Sequence, residues 1–234
     1  MSLSELEATL ARYGLRMRGG FATDRTLDQD VLRHAPTART VILVGNVGSE
    51  LWEKSSAEIT AMSGADPLDR WTQAVIDPVA RSLQGAALYP FGGPPYWPFQ
   101  QWAERAEGLR QSPLGIQIHP EYGLWHAYRA AILLPGAIEL PPKIAGKHPC
   151  DTCVDRPCLS SCPVQAFSAN AYDVDRCVDY VVATQQESGA CASVGCLARL
   201  GCPVGTAWRY TPDHARFHMA AFLLARLRAR EMNF

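Results

Sequence analysis

The chain has 234 residues, enough for one large domain or two small ones. Its 22 basic and 23 acidic residues nearly cancel, so the charge gives no reason to expect nucleic acid as a partner. No apolar run is long enough to span a membrane, and Glu5 and Glu7 interrupt the apolar residues that a signal peptide would need. We therefore expect a cytoplasmic protein that does not bind membranes.

The first third of the chain alternates helix and strand signals. Residues 4–13 are expected to form a helix that ends at Gly14. Residues 40–45 form a short apolar, β-branched run that is typical of a buried strand. Residues 68–83 have helical periodicity, with a kink expected at Pro78.

Two further strands are expected before residue 140. Residues 115–119 alternate between apolar and polar side chains, and residues 127–135 form a second apolar strand. The residues between them include the turn sequence Pro120–Gly123. The front part of the chain is therefore a mixture of helices and strands, and the fold class is α+β.

All eight cysteines lie between Cys150 and Cys202, after a segment rich in proline and lysine. This change in composition predicts two domains, residues 1–145 and residues 146–234. Because cytosolic thiols stay reduced, a dense cysteine group indicates metal binding before disulfides.

The spacing of the cysteines resembles the run that binds two iron–sulfur clusters in bacterial ferredoxins. That run has two extra residues here between its second and third cysteines, and a proline follows its fourth cysteine, Cys162. The second set also ends in Cys-Pro, at Cys202. In ferredoxins the cysteine before proline ligates the other cluster, which predicts two [4Fe-4S] sites. They are Cys150, Cys153, Cys158 and Cys202, and Cys162, Cys177, Cys191 and Cys196.

Three other interpretations of the cysteines compete with this one. Thiolate pairs also form structural zinc sites. Disulfides would require an oxidising compartment. A single cluster would leave four cysteines over, and it would not explain the second Cys-Pro.

The last predicted element is a helix that Thr211 caps and Pro212 begins. One apolar stripe runs along it, made of Phe217, Ala221, Leu224 and Leu227. Three arginines crowd its C-terminal end: Arg226, Arg228 and Arg230. They favour compensation of the helix dipole and solvation, with a docking patch for an acidic redox partner as the alternative.

The segment "GIQIHPEYGLWHAYRAAILLPGAIELPP", residues 115–142, resembles the CblC (MMACHC) family of cobalamin-processing proteins. The matching residues are Gly115, Ile118, His119, Pro120, Gly123, Trp125, Arg129 and Leu133–Gly136. The same front half before a two-cluster module is similar to epoxyqueuosine reductase and the reductive dehalogenases. The resemblance implies a nitroreductase-like α/β sheet domain that binds a corrinoid, followed by a small ferredoxin-like domain with a C-terminal helix. Two four-iron clusters would deliver electrons to the cobalt.

Nine residues are candidates for corrinoid contacts. Six come from the resemblance: Gly115, Ile118, His119, Gly123, Trp125 and Arg129. Three come from the aromatic, glycine-containing segment "YPFGGPPYWPF", which could offer an apolar slot: Phe91, Trp97 and Phe99. In the CblC family the arginine that matches Arg129 contacts glutathione, so glutathione is a further candidate partner.

Each of these candidates has an ordinary structural interpretation. The aromatic segment is equally typical of an ordered loop packed on the core. His119 suits a hydrogen-bonded turn, Trp125 suits a core position, and Arg129 suits a salt bridge beside the sheet. The sequence leaves both interpretations open.

We expect an iron–sulfur oxidoreductase that reduces a corrinoid or removes its upper ligand, and that receives electrons from a flavodoxin, a ferredoxin or a reductase. The Asp-Thr-Gly-Pro segment that carries the catalytic acid of epoxyqueuosine reductase is not found, and no long insertion offers an organohalide pocket. The tRNA-modifying and dehalogenating activities are therefore not expected. The alternatives are a ferredoxin-type carrier without corrinoid and a corrinoid chaperone.

Overall fold

The structure, a computed structural model, describes residues 3–168 and 171–232. These residues form two compact units. The first ends at Leu109 and resumes over His126–Gly146, and the second consists of Arg110–Trp125 and the chain from Lys147 onward. The segment Arg110–Trp125, which the sequence analysis assigned to the first domain, therefore packs with the cysteines.

Helices and strands are interspersed up to residue 134, and the described residues after it form helices and one isolated β-bridge between Phe167 and Tyr172. The first elements are α1 (Leu3–Ala11), β1 (Arg16–Ala22), α2 (Gln29–His34), β2 (Thr40–Val47), α3 (Glu50–Ala61), α4 (Pro67–Ser82), β3 (Ala86–Leu88) and α5 (Phe99–Glu107). Three strands come next: β4 (Arg110–Gln111), β5 (Gln117–Ile118) and β6 (His126–Leu134). The remaining helices are α6 (Pro157–Ser160), α7 (Val174–Ala183), α8 (Cys191–Val194), α9 (Leu197–Leu200) and α10 (Pro212–Met232), with short 3₁₀ helices at Pro149–Asp151 and Thr206–Trp208.

The first unit is built on an antiparallel sheet with the strand order β1-β2-β6-β3. Every residue of β2 is buried, because helices cover both faces of the sheet. Val41 and Leu43 pack in one cluster with Phe99 and Trp102 from the region of α5. Since successive side chains of a strand point to opposite faces, the neighbours of Val41 and Leu43 in β2 face α1, α3 and α4.

The predicted elements of this unit are confirmed at their centres. The run at 40–45 is the middle of β2, the run at 127–135 is β6, and the helix expected at 68–83 is α4. Pro78 lies inside α4, and the kink expected there stays a prediction. The helix expected at 4–13 is shorter and ends at Ala11. Mixed helix and sheet with an antiparallel sheet agrees with the α+β class.

The second unit has little sheet, and its apolar cluster is organised around cysteines. Strands β4 and β5 form a two-stranded ribbon. Leu114, Ile118 and Leu124, from the ribbon and the turn after it, pack against three buried cysteines. These are Cys158, Cys162 and Cys202. This packing explains why the segment belongs to the second unit.

Helix α10 begins at Pro212, as predicted, but its apolar stripe is not its buried face. His214 and Ala215 are the buried residues of the helix, while Leu224 is 50% exposed. The C-terminal half is held by Arg230, whose guanidinium donates to Asp175 and Asp179 on α7. No helix among the described residues is both long and apolar enough to cross a membrane.

A buried charge network lies between the sheet and α5 in the first unit. The Arg18 Nε and Nη2 atoms each donate to the Glu107 carboxylate at 3.1 Å, and both side chains are almost fully buried. The Tyr128 hydroxyl also donates to Glu107. Burial, with the charge of Glu107, raises the pKa of Tyr128, so this hydroxyl remains a donor.

Glu107→Gln is expected to lower the free energy of unfolding by about 3 kcal/mol, because it leaves the buried Arg18 charge without its carboxylate. For a chain of this length the loss corresponds to a fall in Tm of roughly 6–12 °C. The matched control is Glu104→Gln, at an exposed position on the same helix, for which the change in Tm should be within about 2 °C. Thermal melts followed by circular dichroism measure both, and equal Tm values would contradict a structural role for the pair.

Candidate functional site

The eight cysteines are free thiols, buried or half-buried, and all belong to the second unit. They come from short helices and from the loops between them rather than from the sheet. Cys158 lies in α6, Cys177 in α7 and Cys191 in α8, while Cys196 caps α9. Short elements joined by loops allow residues that are far apart in sequence to approach one another.

The first group of four thiols consists of Cys150 and the cysteines whose charges raise its pKa. Burial raises the pKa of Cys150 to about 11, and neighbouring thiolates add to the rise. Those neighbours are Cys202, Cys158 and Cys153. The pKa of Cys158 is also raised, first by burial and then by Cys202 and Cys153. The last cysteine of the chain therefore lies among the first three.

The other four thiols likewise raise one another's pKa values. Burial raises the pKa of Cys196 to about 11, and the charges of Cys191 and Cys177 contribute. Burial also raises the pKa of Cys191, with contributions from Cys177 and Cys162. Cys162 thus acts on cysteines that follow it in the chain, although it closes the first run. The two groups of four cross over at the two Cys-Pro positions.

Backbone amides point at several of these sulfurs. The amide of Ala166 donates to the Cys162 sulfur at 3.3 Å. Amide hydrogen bonds from Leu197 to Cys191 and from Val204 to Cys202 lower the pKa of each thiol against the effect of burial. Hydrogen bonds of this kind stabilise sulfur as a thiolate, the form that binds metal.

Two groups of four thiols form a set of ligands that suits iron–sulfur clusters. In both groups sulfurs are at least partly buried and accept hydrogen bonds from backbone amides. Among residues 3–168 and 171–232, no group of three or more His, Cys, Asp or Glu side chains is arranged around a single metal-ion position.

His119 lies in a tight turn and is held by the backbone. Its Nδ1 accepts hydrogen bonds from the amides of Glu121 and Tyr122, at 3.0 and 3.1 Å. Its ring stacks on Tyr122 with a centroid distance of 4.0 Å. In the structure His119 thus has the role of a hydrogen-bonded turn residue, the expected alternative to a corrinoid contact.

The same turn crosses the loop that follows Cys202 at backbone contact. Gly123 has φ +58°, and a Cβ added there would lie 2.0 Å from the carbonyl oxygen of Val204. Gly205 has φ +70°, and its Cβ would lie 2.3 Å from the carbonyl carbon of Tyr122. Only glycine fits on either side of this crossing. Sequence reasoning selected Gly123 but missed Gly205, whose only signal was its position shortly after the second Cys-Pro.

The aromatic segment of the first unit is partly committed to the core. Phe99 begins α5 and is buried in the cluster beneath the sheet. Trp97 is half-buried and stacks on Trp102, with a centroid distance of 6.0 Å. Phe91 stacks on Tyr89 at 5.1 Å. Tyr96, by contrast, is 71% exposed.

Trp125 and Arg199 form a second feature of the cysteine-bearing unit. The Arg199 guanidinium lies over the ring of Trp125 at 4.6 Å and over the ring of Tyr210 at 4.5 Å. The Trp125 Nε1 atom is buried and has no hydrogen-bond partner among the described residues. Trp125 was among the predicted residues, whereas Arg199 and Tyr210 were not, because no spacing rule connects them to it.

The predicted corrinoid residues are divided between the units. Five lie in the second unit: Gly115, Ile118, His119, Gly123 and Trp125. Of these, Ile118 is buried against the cysteines, and Gly115 lies in an open turn. Four lie in the first: Phe91, Trp97, Phe99 and Arg129. The Arg129 Nε atom donates to Asn46 at 3.0 Å on the neighbouring strand, so its contact here is a hydrogen bond beside the sheet.

No protein-family model matches the chain, and no curated protein matches it. Among solved structures, epoxyqueuosine reductase from Streptococcus thermophilus has a TM-score of 0.57 at 14% identity, covering 92% of this chain and 69% of that one. An epoxyqueuosine reductase with a tRNA stem loop has 0.49 at 15%, covering 91% and 68%. The C. elegans B12-trafficking protein CblC has 0.44 at 13%, covering 95% and 97%. The first likeness shows a similar fold.

Gly123→Ala is expected to destabilise the second unit by more than about 3 kcal/mol, because the new Cβ would overlap the backbone of Val204. Gly115→Ala is the matched control. Its φ of +74° is equally unfavourable for alanine, but a Cβ there meets nothing within 4 Å. The control should cost only about 1–2 kcal/mol. Thermal melts and iron content measure both, and similar losses in the two variants would show that the crossing is not tight.

Cys202→Ser and Cys153→Ser are expected to damage the same metal centre, and Cys177→Ser a different one, because of the crossed grouping of the thiols. If each group of four thiols holds one cluster, each variant should lose about half of the iron. Electron paramagnetic resonance of the reduced variants identifies which signal survives. If Cys202→Ser and Cys153→Ser retained different signals, the grouping would be wrong.

Proposed function

We propose that this chain is an iron–sulfur electron-transfer protein that holds two [4Fe-4S] clusters and passes electrons to the cobalt of a corrinoid. The observation that carries the proposal is the crossed grouping of the eight cysteines. Each Cys-Pro thiol acts on the group to which the spacing analysis assigned it, although about forty residues separate the two positions. A two-cluster ferredoxin run requires this crossing, whereas a zinc site or a disulfide framework does not.

The residues around the sulfurs suit clusters that are reduced and reoxidised. Bound clusters would supply one-electron transfer at low potential. The amides that donate to Cys162, Cys191 and Cys202 partly offset the negative charge at the sulfurs. Leu114, Ile118 and Leu124 cover the cysteines with apolar side chains and keep water away from them. The segment that resembles cobalamin-processing proteins thus forms part of the wall around the cysteines.

Corrinoid as the acceptor is supported by the sequence resemblance and by residues that fit such a ligand. A corrin is a flat, largely apolar ring fringed with amides, and it needs aromatic surface and a few donors. Tyr96 presents an exposed ring on the first unit, and Phe91 and Trp97 are only partly covered. Phe99 and Ile118 are committed to packing, and we assign them no contact with the ligand.

The test begins with protein purified without oxygen. It should be brown and contain about eight iron and about eight sulfide per chain. Stoichiometric zinc without sulfide would overturn the whole proposal.

The corrinoid is then tested with the same protein in excess over cob(II)alamin. The electron paramagnetic resonance spectrum should change to that of a form whose lower base has left the cobalt. After the clusters are reduced and the reductant is removed, the protein should reduce the bound corrinoid, and Cys153→Ser should bind it but reduce it more slowly. An unchanged cob(II)alamin spectrum, with both clusters present, would leave a ferredoxin-type carrier.

A further inference from the structure

A cavity of about 480 Å³ opens at the surface of the first unit, formed by α2 and the loops on either side of it. Three arginines line it, one from each of these elements: Arg25, Arg33 and Arg39. Leu32 and Pro36 contribute an apolar part of the wall. No aspartate or glutamate is among the described residues that line the cavity. Its wall is therefore basic in one part and apolar in another.

Hydrogen bonds hold the backbone at the two loop arginines. Arg25 lies in a turn in which the Asp24 carboxylate accepts from two backbone amides, at 2.7 and 2.9 Å. Arg39 directly precedes β2. Its amide donates to the carbonyl of Leu134 at 2.7 Å, and its carbonyl accepts from the amide of Thr23 at 3.0 Å. The third arginine lies on α2. Three fixed backbone positions thus bring three guanidinium groups to the same cavity.

The carboxylates nearest to the cavity in sequence leave most of this charge unbalanced. Asp30 pairs with Arg33 within α2. Asp28 is buried and binds Arg105 from α5, with oxygen–nitrogen distances of 2.6 and 3.0 Å. The other two arginines of the cavity have no hydrogen bond or ion pair from their side chains among the described residues. Three arginines less the carboxylate of Asp30 leave two positive charges, which an anion with two negative charges would balance.

We propose that this cavity binds a phosphate monoester of about nucleotide size, with its phosphate on the arginines and its organic part against Leu32 and Pro36. A guanidinium group is a planar fork that binds phosphate oxygens in pairs, and a phosphate monoester carries close to two negative charges at neutral pH. The volume is within the range of small-molecule sites, roughly 300–1,000 Å³. This site is independent of the proposed function, because no cysteine lines it.

Calorimetric titration of AMP into the full-length protein, purified without oxygen, measures the binding. The unchanged protein should bind AMP in the sub-millimolar range. Adenosine, which lacks the phosphate, and inorganic phosphate, which lacks the organic part, should both bind more weakly. The double variant Arg25→Gln/Arg39→Gln should bind AMP at least about tenfold more weakly, because two charged hydrogen-bond donors are lost. Arg39→Lys keeps the charge but loses the fork, so its loss of affinity should be smaller.

Arg12→Gln is the matched control, since Arg12 is an exposed arginine of the same unit that does not line the cavity. It should bind AMP as tightly as the unchanged protein does. All the substituted arginines are exposed, so thermal melts should show Tm values within about 2 °C of the unchanged protein. Equal affinity of the double variant and the unchanged protein for AMP, or equal affinity for AMP and adenosine, would overturn the proposal. So would an RNA stem loop that binds at these arginines and that AMP does not displace, because the site would then serve a polymer.

Discussion

Thiolates of like charge repel one another, and each four-cysteine group concentrates that repulsion in a half-buried space. Burial and mutual charge raise the pKa values of Cys150 and Cys196 to about 11. Other residues of the second unit stabilise these groups. Amides donate to sulfurs, and apolar residues of the β4–β5 ribbon and its turn cover them. Positively charged iron at the centre of each group would reverse the sign of the interaction, because the thiolates then share a common attraction.

The backbone crossing between Gly123 and Gly205 links the cysteines to the turn that carries His119. One of the two crossing backbone segments belongs to that turn, and the other follows directly after Cys202. Since neither position has room for a side chain, the turn lies against the loop at the distance of backbone contact. The turn that resembles corrinoid-processing proteins and a cysteine of the first group are thereby fixed relative to each other.

The first unit is stabilised in a different way. Its core is an ordinary apolar sheet and helix arrangement, with one buried ion pair between Arg18 and Glu107. Such a pair adds little net stability over apolar residues, but the loss of one partner is costly. The pair therefore fixes the position of α5 on β1.

The sequence by itself determined the central elements of the first unit, and it predicted two four-cysteine groups. Strong periodicity predicted β2, α4 and β6, because it depends on residues that are close in sequence. The crossed grouping of the cysteines came from the resemblance to ferredoxins, since it joins residues far apart in the chain. Only the tertiary structure decided that Arg110–Trp125 packs with the cysteines, that Phe99 belongs to a core, that Arg199 lies over Trp125, and that Gly205 meets the backbone of Tyr122. These assignments depend on contacts between residues far apart in the chain, and no local pattern encodes such contacts.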